Sequence, residues 1–181
     1  ARGHDVDVEL DREVSLVDRG ADLVVVFGGD GSLLGAARRM GRNQRPTLGI
    51  NVGRLGFLTS FEVDRAEEAL ELATVGGLRE ETLLLLQCHV QAADGSATEP
   101  VLCMNDAVVS RAAVGGMITV RASRGGDEIA TYRGDGLVAA TAAGSTAYSM
   151  AAGGPVLTPD LVALVLTPLA SQALSARPLV L

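Results

Sequence analysis

The chain has 181 residues, and its 22 acidic against 15 basic side chains give a net charge of −7. That balance leaves no surplus of Lys and Arg to displace counterions from nucleic acid, and an aromatic content of 3% without Trp offers no platform for stacked bases. An apolar fraction of 48% with 22 Gly excludes a disordered or collagen-like chain, and the length accommodates one large domain or two small ones.

No run approaches the ~18 consecutive apolar residues that a membrane helix requires. The opening Ala1-Arg2-Gly3-His4-Asp5 lacks the apolar stretch of a secretory signal. Cys88 and Cys103 stand in apolar surroundings with no His at ligand spacing, so they read as buried free thiols. A reducing, cytoplasmic setting is the default expectation.

In chain order, Asp22 to Phe27 is an apolar run of strand length, as expected for a strand buried on both faces. Gly28-Gly29-Asp30-Gly31-Ser32 follows at once. Leu33 to Met40 then reads as a short helix with Arg38 and Arg39 in its last turn. Thr47 to Ile50 is a second short strand, with a second glycine-bearing loop at 51–56. A helix from Val63 to Ala73 carries Ala66, Ala69, Leu70 and Ala73 at helical spacing.

Beyond Thr82 the pattern changes to short strand candidates: Leu83 to Val90, Pro100 to Ser110, Met117 to Arg121, Glu128 to Tyr132 and Leu137 to Thr141. Asp94-Gly95, Gly115-Gly116 and Gly125-Gly126 mark the turns between them. These features predict an α/β unit over 1–81 and an antiparallel β-rich unit over 82–181.

Three stretches carry candidate chemistry. In Gly28-Gly29-Asp30-Gly31-Ser32, glycines let main-chain amides approach an anion and the following helix adds its positive end. Asp30 would repel a phosphate. It makes chemical sense as acceptor of a proton from an attacking hydroxyl, or as a partner of Mg²⁺; as a plain helix N-cap it has a purely structural role, and both readings stand. The loop is neither a Walker A nor a G-x-G-x-x-G fingerprint. The second stretch, Gly144-Ser145-Thr146-Ala147-Tyr148-Ser149, gathers small hydroxyl residues around one ring, suited to a planar ligand or to a capped turn. The third is Asn105-Asp106 inside an apolar run, where a single strand would turn the two side chains to opposite faces.

Taken together and in order, these motifs resemble the NAD kinase family. The matching residues are Gly28 to Ser32, Gly49 to Thr59, Asn105-Asp106, Gly134 to Val138, Thr141 to Tyr148, Ala152 to Pro155 and Leu174 to Pro178. The first loop alone is shared with diacylglycerol kinase-like and phosphofructokinase-like enzymes, whereas the Gly-Ser-Thr-Ala-Tyr block with Ala-Gly-Gly-Pro is far more specific.

The resemblance implies an N-terminal Rossmann-like α/β nucleotide domain followed by an antiparallel β-rich domain. It also implies phosphoryl transfer from ATP or polyphosphate to the 2′-hydroxyl of the adenosine ribose of NAD. On this resemblance Asp30 is the proton acceptor, and Gly28, Gly29, Gly31 and Ser32 form the phosphate loop. Asp30, Gly31, Asn105, Asp106, Arg133, Asp135, Thr146, Ala147, Tyr148, Ser149, Ala151 and Ala170 fall at NAD-contacting positions. Mg²⁺ is expected with ATP rather than in a protein cage. The family pairs through its β-rich domain, so a homodimer or homotetramer is expected, with no nucleic acid or membrane partner.

Ser32 replaces a usual Thr, Ala142-Ala143 a usual Pro-Thr, Ala151 a usual Ser and Gln172 a frequent His. Relative to the family pattern both ends are short. The nucleotide domain is expected to lack its first strand, and the β-rich domain to stop at Leu179-Val180-Leu181 as a strand cut mid-sheet. An impaired NAD-binding fragment and a diacylglycerol kinase-like enzyme are the alternative readings.

Overall fold

The computed structural model describes residues 3–53 and 56–181. Arg54 and Leu55 of the second glycine loop lie outside the described residues. The chain divides into two compact units, Ala1–Glu80 and Glu81–Leu181.

The first unit is a small α/β layer. Strand β1 (Val24–Phe27) leads through the glycine loop into helix α1 (Asp30–Met40), then to β2 (Thr47–Asn51) and β3 (Phe61–Glu62). The three strands run parallel in the order β1-β2-β3, with Val24 opposite Thr47 and Ile50 opposite Phe61. A 3-10 turn at Val63–Arg65 enters α2 (Ala66–Thr74). Central β2 is the buried strand: Leu48 and Ile50 pack with Ala69 of α2, flanked by Val25, Phe61 and Leu70. Gly49 is glycine because a methyl there would lie 2.6 Å from a Leu33 methyl of α1.

The expectation that β1 is buried on both faces is corrected. Its valines are half-buried and Phe27 is 56% exposed, because β1 is the outer strand of this sheet and an edge strand has a neighbour on one side only. Ahead of it, residues 5–22 carry no regular structure. They strap the C-terminal end of α1, where Arg39 donates from Nε to the Val14 carbonyl at 2.6 Å.

The second unit is built on a four-stranded antiparallel sheet in the order β11-β10-β9-β6, namely Leu179–Val180, Leu164–Leu169, Gly136–Thr141 and Asp106–Ser110. Central β9 is buried on both faces. Leu137 packs with Tyr132 and Leu166 on one side, and Val138 and Ala140 pack with Val165 on the other. The first of these faces is covered by the hairpin of β7 (Ile118–Arg124) and β8 (Asp127–Gly134). Gly125 and Gly126 close that hairpin with φ of +62° and +98°, a conformation that favours glycine at both positions. Leu179–Val180 pairs with Val165 and Leu166 as an edge strand.

Two further expectations are corrected here. The run 100–110 is two strands: β5 (Val101–Cys103) pairs with β4 (Leu86–Cys88), whereas β6 joins the large sheet. The chain changes sheets at Met104-Asn105, so Asn105 and Asp106 do not alternate along one strand. Cys88 and Cys103 are free, as expected, but half-buried, because a two-stranded ladder covers little of their surface. Partial burial, reinforced by the neighbouring Cys88, pushes the Cys103 thiol up.

Candidate functional site

In the first unit the site is built where β1 meets α1. Gly29 is the helix N-cap and Asp30 the first helical residue, so the capping role expected on the structural reading is corrected: Asp30 caps nothing in its own helix. Its carboxylate reaches sideways to the second glycine loop. Oδ2 accepts from the Phe57 amide at 2.8 Å and Oδ1 from the Leu58 amide at 3.1 Å. Two main-chain donors thereby fix the carboxylate and leave each oxygen a further lone pair. Gly56 makes this possible, since a side chain there would collide with the Asp30 carboxylate.

The loop glycines divide by physical cause. Gly28 is buried, and a methyl on it would strike the Ser32 side chain. Gly29 and Gly31 have open space where a side chain would stand, and neither has the positive φ that favours glycine. Packing therefore accounts for Gly28 but not for its two neighbours. A bare backbone at the start of an 11-residue helix, whose first amides have no partner within the helix, is what close approach of an anion uses.

In the second unit the Gly-Ser-Thr-Ala-Tyr block folds as a 3-10 turn (Ala143–Thr146) running into the short helix α3 (Tyr148–Ala151). The block is tied to the Asn105 motif. Thr141 donates its amide to the Asn105 carbonyl at 2.8 Å and its hydroxyl to the Met104 carbonyl at 2.6 Å, while that hydroxyl accepts from the Gly144 amide at 2.9 Å. Only glycine fits at 144, because a methyl would overlap the Asn105 backbone. Ser145 is buried and accepts the Leu157 amide at 2.9 Å. Ser149, expected among the ligand contacts, is fully buried and shares a 2.8 Å hydrogen bond with Thr167. It supports the turn from beneath.

A cleft of about 500 Å³ opens on this unit, lined by Arg111, Asp135, Tyr148, Ala151, Pro168 and Ala170 among others. Of the expected residues it therefore gathers Asp135, Tyr148, Ala151 and Ala170. Tyr148 is 49% exposed, with a ring face available to a planar group.

Asp135 sits between β8 and β9 in a Gly-Asp-Gly that has no room for other side chains. A methyl at Gly134 would lie 2.5 Å from the Leu169 carbonyl, and one at Gly136 would overlap the Val109 carbonyl. Its main chain is clamped by the Arg111 amide donating to the Asp135 carbonyl and the Asp135 amide donating to the Leu169 carbonyl, both at 2.9 Å. Ala170 has a φ of +44°, the left-handed region, at a cost of about 1–2 kcal/mol. The turn it makes delivers the Gln172 amide to the Arg133 carbonyl at 2.8 Å.

Asn105, Asp106, Arg133, Thr146 and Ala147 do not line this cleft. Asn105 and Asp106 stand at the other end of β6, roughly 13 Å away along the strand, half-buried beside the 3-10 turn that holds Thr146. Burial pushes the Asp106 carboxyl up. Arg133 is exposed on β8. Arg111 was not foreseen. The sequence signal for it is weak, an Arg ending an apolar strand 24 residues from its acid partner.

Among the described residues no three His, Cys, Asp or Glu side chains converge as a metal cage, and no helix is long and apolar enough to cross a membrane.

Comparison with known proteins adds an independent line. The ATP-NAD kinase N-terminal domain model matches residues 6–77 and the ATP-NAD kinase C-terminal domain model matches residues 104–181. An NAD kinase of Cupriavidus pinatubonensis is 41% identical over 97% of this chain and 62% of its own length, and one of Heliobacterium modesticaldum is 44% identical over 90% and 57%. The chain thus spans about three fifths of the curated relatives it matches. Among solved structures, an NAD kinase from Archaeoglobus fulgidus in complex with ATP superposes with a TM-score of 0.79 at 34% identity, covering 97% of this chain and 67% of the other. Yeast NADH kinase complexed with NADH gives a TM-score of 0.83 at 30% identity, covering 89% and 48%.

Proposed function

The chain belongs to the NAD kinase family, and on that premise we propose that it transfers a phosphoryl group from ATP, or polyphosphate, to the 2′-hydroxyl of the adenosine ribose of NAD, yielding NADP. The observation that carries this reading is the Asp30 carboxylate, held by the Phe57 and Leu58 amides at the start of α1 and flanked by two glycines that packing does not require.

A ribose hydroxyl is a poor nucleophile near neutral pH. As its oxygen bonds to phosphorus and the bond to the leaving ADP oxygen breaks, its proton passes to a free lone pair on Asp30. Gly29 and Gly31 bring backbone amides to the anionic groups. The other two positions of the expected phosphate loop are corrected, because the Gly28 amide donates to the Ile50 carbonyl and the Ser32 amide to the Gly29 carbonyl, both at 2.9 Å. Orientation of hydroxyl and phosphate supplies much of the acceleration. The divalent cation enters as part of the MgATP substrate. A carboxylate held by two main-chain amides suits a cation carried chiefly by phosphate oxygens and water.

The second unit receives the dinucleotide. Tyr148 offers its ring, Asp135 a hydrogen-bond acceptor, and Ala151 and Ala170 low walls, while Asn105, Asp106, Arg133, Thr146 and Ala147 extend the contact surface. Ser149 holds the α3 turn in place. The likeness of the chain to its family favours a homodimer or homotetramer paired through the β-rich unit, acting in the cytoplasm.

The test is NADP formation from ATP or polyphosphate, Mg²⁺ and NAD, with Asp30→Asn slowing turnover about 10²–10⁴-fold and sparing NAD binding. NAD binding without NADP from any donor would instead make the chain a binding module. Phosphorylation of a diacylglycerol would overturn the substrate assignment.

A further inference from the structure

Asp135 is the carboxylate of the second-unit cleft, and its rotamer is set by one side chain. Arg111, the residue after β6, donates from Nε to Asp135 Oδ1 at 2.8 Å, and the same two residues are joined through the main chain. A side-chain and a backbone hydrogen bond between one residue pair fix both position and orientation. The two side chains are part-exposed, at 36% for Arg111 and 44% for Asp135, and both line the cleft. Among the described residues, Asp135 Oδ2 receives no hydrogen bond.

We infer that Arg111 is a positioning residue for the dinucleotide: it locks Asp135 through Oδ1, so that Oδ2 faces the cleft as a fixed acceptor for an uncharged donor of the ligand. The donor is a hydroxyl or an amide N–H, because a phosphate brought to the same oxygen would be repelled. The inference rests on the NAD-binding reading above and adds to it the group that sets the geometry of one contact.

Arg111 meets the carboxylate through Nε alone while Nη1 reaches the Ala112 carbonyl at 3.5 Å, an arrangement that the single ammonium of Lys reproduces only in part. Without the Arg111 side chain, Asp135 keeps its main-chain clamp, and its side chain becomes free to rotate. The expected loss is therefore in ligand affinity and not in folding.

The experiment is a double-mutant cycle on NAD binding by titration calorimetry, with the melting temperature of each variant as a folding control. Arg111→Ala is expected to weaken NAD binding about tenfold with little change in melting temperature, and Arg111→Lys to recover part of that loss. In the Asp135→Ala background, Arg111→Ala is expected to cost less than about twofold more. Wild-type affinity in Arg111→Ala, or the same tenfold loss in the Asp135→Ala background, would overturn the positioning role while leaving the proposed activity intact. Failure of the unmutated chain to bind NAD would overturn both.

Discussion

The two site carboxylates are held by different means. Asp30 in the first unit is gripped by two main-chain amides of another loop, whereas Asp135 in the second is gripped by one side chain and left with an oxygen to spare. A main-chain grip survives substitution of the donor residues and suits a group whose position must not vary. A guanidinium grip can be tuned by mutation and suits a recognition contact. The glycines beside each acid follow the same division: Gly56 makes room for a side chain, whereas Gly136 makes room for a neighbouring strand.

Replacing each of those glycines by alanine separates the two cases. Gly136→Ala sets a methyl against the Val109 carbonyl, which is β6 backbone and cannot yield cheaply. A loss of about 3 kcal/mol is expected, visible in chemical denaturation as a lower midpoint. Gly56→Ala meets only the end of a flexible acid side chain. It is expected to leave the melting temperature near that of the parent while displacing the Asp30 carboxylate, with kcat for NADP formation falling about 100-fold. If Gly56→Ala unfolds the chain, or Gly136→Ala is silent, the distinction fails.

A smaller effect sharpens the second unit. Burial raises the Asp106 carboxyl in the folded chain, so the folded form keeps a proton that the unfolded chain has already released. Stability is then fully present below the ordinary carboxylate range and declines as pH rises through the raised value. Glu68 and Asp94 are shifted the opposite way and add stability as pH rises, so the decline is read as a difference. Between pH 3 and 7, against about 4 for a free Asp, the melting temperature of the parent relative to Asp106→Asn is expected to fall as pH rises.

Local pattern revealed most of the scaffold. The β1-loop-α1-β2 succession, the glycine hairpin at 125–126 and the small apolar strand β9 were all legible because each depends on neighbours in sequence. Hydrophobic runs misled where depth depends on the count of neighbouring strands. Val24–Phe27 looks more buried than Gly136–Thr141, yet the first is an edge and the second a centre. The break at Met104-Asn105 was hidden because nothing local marks a change of sheet. The contacts that hold the two acids were out of reach for the same reason. Phe57 and Leu58 act through amides every residue has, and Arg111 meets Asp135 across a strand pairing.

The central claim is that Asp30 takes the proton of the hydroxyl that becomes phosphorylated. The most direct measurement is the rate of NADP formation by Asp30→Asn at saturating ATP and NAD, beside its NAD affinity. The account predicts a fall of about 10²–10⁴-fold in rate with affinity nearly unchanged. A variant that still forms NADP at the parent rate would contradict it.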